Sequence, residues 1–422
     1  MQSRFTWGRR PVKRSVRDTE GGAAEAYPGL AAKKKGKEPM TNTEKNNITA
    51  DKIRGCLIGG AVGDALGYPI EFASWNYIVK HYGEYGKHGI IEYKLDPKTG
   101  QALISDDTQM TLFTANGILV NETAKRLGGS EDKLKKSVYE AYLEWWRAQT
   151  NPFPYRYRWR SSWLMELPTM YDNRGPGRTC MGALGAIECG SIKYPINNSS
   201  GNGGLMRVAP YGCFFKDMPD NELIIAAAES TAITHGNSLG YMPSGMMALI
   251  VRKCIYGEET ALSDIIMSSF KSTEAVLSGD AQWQQFSGLI ELAVSLAGNS
   301  AADIVNIRQL GRGTTGDSAL AIAVYCSLRY ANDFSNGVIA AVNHDGDSDS
   351  TGAITGNLLG AYLGLGRVDE KWQEPLELRD TILEIANDLY LGVPSAGDTS
   401  RIAAWRTKYV EMKRYPAPKN GG

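Results

Sequence analysis

Two clusters of acidic residues stand directly before apolar runs. The first is Ser105-Asp106-Asp107-Thr108, which leads into QMTLFTANGIL. The second is His344-Asp345-Gly346-Asp347-Ser348-Asp349-Ser350-Thr351, which leads into GAITGNLLGAYLG. Ser and Asp before a helix cap its free N–H groups, and Asp106 with Gln109 fits the spacing of a capping box. Capping needs one side-chain oxygen per helix, so five aspartates before two helices exceed it. Adjacent carboxylates repel, and a divalent cation relieves the repulsion. The donors are all oxygen, which suits Mg²⁺ or another hard ion rather than zinc. An EF-hand is excluded: a loop starting at Asp345 needs Gly at its sixth position and Glu at its twelfth, where this chain has Ser350 and Gly356.

Other residues carry weaker signals. Gly201-Asn202-Gly203-Gly204-Leu205-Met206-Arg207 lacks the last glycine of a dinucleotide fingerprint and the Gly-Lys-Ser/Thr of a P-loop. Its backbone permits close approach to a ligand, and Arg207 could meet a phosphate or hold a carboxylate. Read locally, the segment is a plain turn. His235, before Gly236, reads as the end of the helix NELIIAAAESTAIT. Glu71 reads as a surface carboxylate.

The elements that must hold these groups are helical. From Asp51 onward the apolar residues recur with helical period, strand alternation is nearly absent, and about nine helices of an all-α fold are expected. Gly55, Gly59, Gly63 and Gly67 fall four apart on one helical stripe. Glycine costs about 1 kcal/mol against alanine inside a helix, so the stripe predicts a second backbone in close approach. The segment from Asn151 to Arg178, rich in Pro, Arg and aromatics, is expected to be a long ordered loop.

Of the 422 residues, 42% are hydrophobic, enough for a large buried core. Basic and acidic residues number 46 each, so global charge does not point to nucleic acid. Residues 1–39 hold ten basic and four acidic side chains, and residues 1–50 read as a disordered basic extension with a second plausible start at Met40. The main domain is expected over 51–412, with a short tail at 413–422. Six scattered cysteines, Cys56, Cys180, Cys189, Cys213, Cys254 and Cys326, make neither a disulfide framework nor a zinc site, which fits a cytoplasmic protein. No apolar run spans a bilayer.

Taken in order, RGCLIGGAVGDALGYPIEF, SDDTQM, NRGPGRTC, GNGGLMRVAP, THGN and HDGDSDSTGAITGNLLGA resemble the ADP-ribosylglycohydrolase family, from about Asp51 into the 370s. The resemblance implies a single orthogonal multi-helix domain with a two-Mg²⁺ centre, acting on an ADP-ribosylated protein or a small ADP-ribosyl substrate. Carried over by motif, Ser105, Asp106, Asp107, Asp347, Asp349 and Ser350 would be metal ligands. Gly201, Asn202, Gly203 and Gly204 would surround the diphosphate, with Arg207 at the loop's end and His235 touching substrate. Glu71 would guard the metal site. Asp107 or Asp349 would serve as general base, with Asp106 as the alternate. The chain differs from many members before ALAIAVYCSLRYA, where Gly313-Thr314-Thr315-Gly316-Asp317-Ser318 replaces a Trp-containing stretch with paired glutamates on the acceptor side. The alternative function is an ADP-ribose-binding or immunity-type protein that blocks an ADP-ribosyltransferase toxin, using the N-terminal extension as the docking element.

Overall fold

A computed structural model describes residues 41–83, 88–129, 131–157, 160–395 and 397–414. The expectations for residues 1–40, the toxin-docking extension included, and for the end of the C-terminal tail lie outside these residues. The described elements are helical: α1 (Asn42–Gly67), α2 (Trp75–Tyr82), α3 (Asp106–Gly128), α4 (Leu134–Thr150), α5 (Arg178–Gly185), α6 (Ala209–Phe214), α7 (Asp220–Ala232) and α8 (Ser238–Tyr256). They continue with α9 (Leu262–Leu277), α10 (Trp283–Ala297), α11 (Asp303–Leu310), α12 (Gly316–Arg329), α13 (Phe334–Val342), α14 (Ser348–Leu363), α15 (Glu370–Gln373), α16 (Arg379–Leu391) and α17 (Thr399–Tyr409). Strand pairing among the described residues is limited to two isolated bridges, Ala102 with Leu376 and Gly201 with Thr315. No helix among them is long and apolar enough to cross a membrane.

The number of helices exceeds the expected nine because several, such as α2, α5 and α15, span only about two turns or fewer and carry too little periodicity to read. The expected disordered stretch to residue 50 also needs correction, since α1 begins at Asn42. Its first residues are polar and mostly exposed, but they extend a helix whose nucleation cost the packed part has already met. The segment from Asn151 to Arg178 is largely irregular, as expected, with short 3₁₀ turns at Trp163–Glu166 and Pro168–Tyr171.

The glycine stripe decides the architecture. A Cβ built on Gly55 would lie 2.5 Å from the Gly360 carbonyl oxygen, and on Gly59 and Gly63 it would strike the Gly356 and Gly352 carbonyls. The relation is reciprocal, because Cβ atoms on Gly352, Gly356 and Gly360 would strike the carbonyls of Gly63, Gly59 and Gly55. Two glycine-striped helices, α1 and α14, therefore run antiparallel with their backbones in contact. Asn357 completes the seam by donating to the Cys56 carbonyl at 2.8 Å. Around it, α8 and α12 are buried on nearly every face, as central helices must be. The register sets Gly67, at the end of α1, against the Ser348 carbonyl at the start of α14. A seam of glycines thus fixes where the second acidic cluster meets the rest of the molecule.

Candidate active site

The start of α3 shows which groups are occupied by capping and which are not. The Ser105 hydroxyl accepts from the Asp107 N–H at 3.2 Å, so Ser105 is the N-cap. Asp64 of α1 does the remaining work across the interface. Its carboxylate accepts from the Ser105 N–H at 3.0 Å, from the Thr108 N–H at 3.1 Å and from the Thr108 hydroxyl at 2.5 Å. The capping-box pairing of Asp106 with Gln109 does not form, because the Gln109 side chain accepts from Trp145 Nε1 at 3.1 Å. The Asp106 and Asp107 carboxylates are thereby released from capping. Asp106 accepts only the Gly177 N–H, at 3.2 Å, and Asp107 Oδ2 is buried with no hydrogen-bond partner.

At the start of α14, Asp347 is held through its backbone, its N–H donating to the Arg312 carbonyl at 2.9 Å. Asp349 accepts from the Ser350 N–H at 2.9 Å. Asp345 turns away: its carboxylate accepts from the Trp75 N–H at 2.7 Å and from Arg308 Nε at 2.8 Å, which secures the start of α2. Glu71 follows the short Tyr68–Ile70 turn that ends α1. Glu71, Asp347 and Asp349 each present a carboxylate oxygen within 4.8 Å of the other two.

The electrostatics of this group are extreme. Burial drives the carboxyls of Asp106, Asp107 and Asp349 well above the usual carboxylate range, and their neighbours' charges add to the rise. Burial, then Asp347 and Asp64, lifts Glu71 to about 7. Asp64 rises to about 6 through burial, against the hydrogen bonds from Thr108 and Ser105. Asp347 is raised by burial, with hydrogen bonds from Asp349, Asn202 and Ser350 opposing. Among the described residues no Lys or Arg pairs with any of them; the buried guanidinium of Arg174 is taken by Glu377 at 2.7 Å and Asp172 at 3.1 Å. Like charges buried together without a counter-ion are tenable only when protonated or when a cation joins them. The orphaned Asp107 oxygen and the all-oxygen donor set fit a hard divalent cation.

The glycine loop sits beside this centre. Asn202 is buried and donates to the Gly313 carbonyl at 2.7 Å, while Gly201 bridges to Thr315. Gly313, Thr314 and Thr315 are therefore paired with the loop. His235 lies underneath: a Cβ on Gly201 or Gly203 would come 3.2–3.3 Å from its ring. Its Nδ1 meets the Thr234 hydroxyl at 2.8 Å, and burial with the nearby Arg207 charge lowers its pKa to about 3, so the ring is neutral. Arg207 corrects the expectation of a phosphate contact. It is fully buried, its guanidinium lies 4.0 Å over the Tyr142 ring, and Nη2 donates to Thr234 at 2.7 Å. It supports the floor under the loop rather than facing a ligand. Asp64 is the site residue that local reading passed over, because its partners Ser105 and Thr108 lie on another element.

An all-helical domain that converges two acidic helix starts on one buried, oxygen-only centre has the makings of a hydrolase that works through a bound metal. Comparison with known proteins gives the particular family. A family model for ADP-ribosylglycohydrolase matches residues 45–399, and the chain belongs to that family. It is 24% identical to ADP-ribosylhydrolase ARH3 of Gallus gallus over 413 residues, which covers 87% of this chain and 98% of that protein. It is 27% identical to ADP-ribosylhydrolase ARH3 of Mus musculus over 364 residues, 77% of this chain and 87% of that one. Among solved structures, an ADP-ribosylglycohydrolase-related protein complex aligns with a TM-score of 0.49 at 23% identity, covering 82% of this chain and 99% of that chain. Membership identifies the chain as an ADP-ribosyl hydrolase.

Proposed function

We propose that the chain is a magnesium-dependent hydrolase that cleaves the glycosidic bond between ADP-ribose and a modified protein side chain, with two Mg²⁺ ions held by Asp106, Asp107, Asp347 and Asp349. Glu71 closes the cluster from the α1 side, and the hydroxyls of Ser105 and Ser350 stand beside the carboxylates as further oxygen donors. The observation that carries the reading is Asp107, whose buried Oδ2 has no protein partner at the mouth of a helix already capped by Ser105 and Asp64. Bound there, Mg²⁺ would supply Lewis acidity toward the ribose hydroxyls and toward a water.

The chain's own residues do the rest. Departure of the acceptor from the ribose passes through an oxocarbenium-like transition state, which the surrounding carboxylates favour electrostatically. Asp107 or Asp349, with Asp106 as the alternate, takes the proton of the attacking water. The loop from Gly201 to Gly204, half-buried at Gly201 and Gly203, lies where a diphosphate can approach the backbone closely, and the neutral His235 ring braces that loop without repelling a cation. Positioning of this kind supplies much of the acceleration.

The test is release of ADP-ribose from a panel of substrates joined through defined side chains, by the wild-type protein and by Asp349→Asn. The proposal expects release from at least one substrate and a fall of at least about 100-fold in the variant, with its melting profile kept. Release from none, or equal rates for both proteins, would refute it.

A further inference from the structure

Beside the acidic centre lies a second cleft of about 400 Å³, lined by Phe72, Ser74, Arg308, Gly311, Arg312 and Asp345. Its walls are continuous with the centre. Phe72 follows Glu71 and its N–H donates to the Gly346 carbonyl at 2.8 Å, while the Arg312 carbonyl accepts from Asp347 at 2.9 Å. The charge here is opposite to that of the centre. Both guanidiniums are anchored through Nε alone, Arg308 to the Asp345 carboxylate at 2.8 Å and Arg312 to the Asp345 carbonyl at 2.8 Å. The second Asp345 oxygen is used by the Trp75 N–H, so one carboxylate answers two arginines. Among the described residues Arg312 has no ion-pair partner, and the terminal nitrogens of both forks bond no protein acceptor. Arg308 is 54% exposed. Phe72, a residue with φ of 56°, is also 54% exposed and adds an apolar surface to the same cleft.

Fixed guanidinium forks with free edges are built for a carboxylate or phosphate, and anchoring through Nε lowers the entropy lost on binding. A cationic annex so close to a centre that needs cations does not serve the metal, which it would repel. It serves the substrate. Resting on the hydrolase reading above, we infer that this cleft receives an acidic side chain of the modified protein, within one or two residues of the side chain that carries ADP-ribose. The enzyme then prefers acceptors in acidic sequence and disfavours those flanked by Lys or Arg, a choice set by the acceptor's neighbours rather than by ADP-ribose itself.

The test uses two ADP-ribosylserine peptides that differ only in flanking residues, glutamates in one and glutamines in the other. Hydrolysis is followed with Mg²⁺ for wild type and Arg312→Glu, together with ADP-ribose release from a small conjugate that has no peptide. Binding is read separately by fluorescence anisotropy in an Asp107→Asn background, where turnover does not interfere. The inference expects the glutamate peptide to be favoured about tenfold, chiefly in KM, with the preference shrinking as salt rises and lost or inverted in Arg312→Glu. Turnover of the small conjugate stays unchanged. Equal KM and equal binding for the two peptides, or a preference that survives Arg312→Glu, would overturn the inference and leave the hydrolase reading standing. Preferential binding that Arg312→Glu abolishes, without hydrolysis of any substrate, would keep the cleft and refute the hydrolase reading.

Discussion

The starts of α3 and α14 both carry clustered aspartates, yet they are held by different means. At α3 the free N–H groups are satisfied by side chains, Ser105 from the same chain segment and Asp64 from α1, which leaves Asp106 and Asp107 unclaimed. At α14 the N-cap residue, Asp347, makes no side-chain capping bond. Its first turn is instead fixed by backbone contact, with Gly67 against Ser348 and Asp347 bonded to Arg312. Helix α1 is common to both, reaching α3 with a carboxylate and α14 with a bare glycine edge. An acidic helix start becomes free for chemistry only when other groups have taken over the capping of its N–H groups.

The largest effect is expected where the unclaimed carboxylates are removed. Asp107→Asn and Asp349→Asn should each lower the rate of ADP-ribose release by at least about 100-fold while the thermal midpoint without metal holds or rises, since each removes a buried like charge. A variant that lost its fold along with its activity would show that these aspartates stabilise their helices, and the distinction between capping and free carboxylates would fail.

Smaller effects address the two supports separately. Gly59→Leu forces a side chain into the Gly356 backbone, and overpacking of this kind costs about 1–3 kcal/mol, so thermal melting should show a clear loss. Unchanged melting would break the account of how α14 is placed. Asp64→Asn replaces a pure acceptor with a group that points N–H toward N–H, at a cost of about 1–3 kcal/mol. Ser105→Ala should cost only about 1 kcal/mol, the usual value of an N-cap. If denaturant unfolding ranked Ser105 above Asp64, the claim that α1 carries the main cap of α3 would be wrong.

The pH dependence sharpens the comparison further. Glu71 has its pKa raised to about 7 and Asp64 to about 6, so between the ordinary carboxylate range and these values the folded metal-free protein binds more protons than the unfolded chain. Their contribution to stability is present at low pH and is lost as pH rises toward 7. Two buried histidines act in the opposite sense. His235 is lowered to about 3 and His344 to about 4, chiefly by burial, and both withdraw stability as pH falls below about 6.5. The raw midpoint mixes these trends, but the gain in midpoint on adding Mg²⁺ isolates the carboxylates. That gain should be largest near pH 8 and fade toward pH 5, because protonated ligands cannot hold the metal. A gain independent of pH would place metal binding elsewhere.

What could be read in the sequence was whatever is local and periodic. Glycines four apart on α1 announced a close backbone, and surplus aspartates before two apolar runs announced a shared acidic centre; both are properties of short segments. What could not be read depended on distant donors. Asp64 acquires its role from N–H groups on Ser105 and Thr108, more than forty residues on, and nothing beside it in sequence says so. Arg207 misleads for the same reason. Next to a glycine loop it looks like a phosphate contact, but Tyr142 and Thr234, on separate elements, take its guanidinium into the core. The cationic cleft was likewise invisible, since it unites Phe72 with Arg308 and Arg312 only in the folded chain.

The most direct test of the central claim is the rate of ADP-ribose release from a substrate the protein accepts, measured after exhaustive chelation and again after Mg²⁺ is restored. Chelation should abolish release, Mg²⁺ should restore it in wild type, and no restoration should occur in Asp107→Asn. Hydrolysis that continues undiminished in the chelated protein would contradict it.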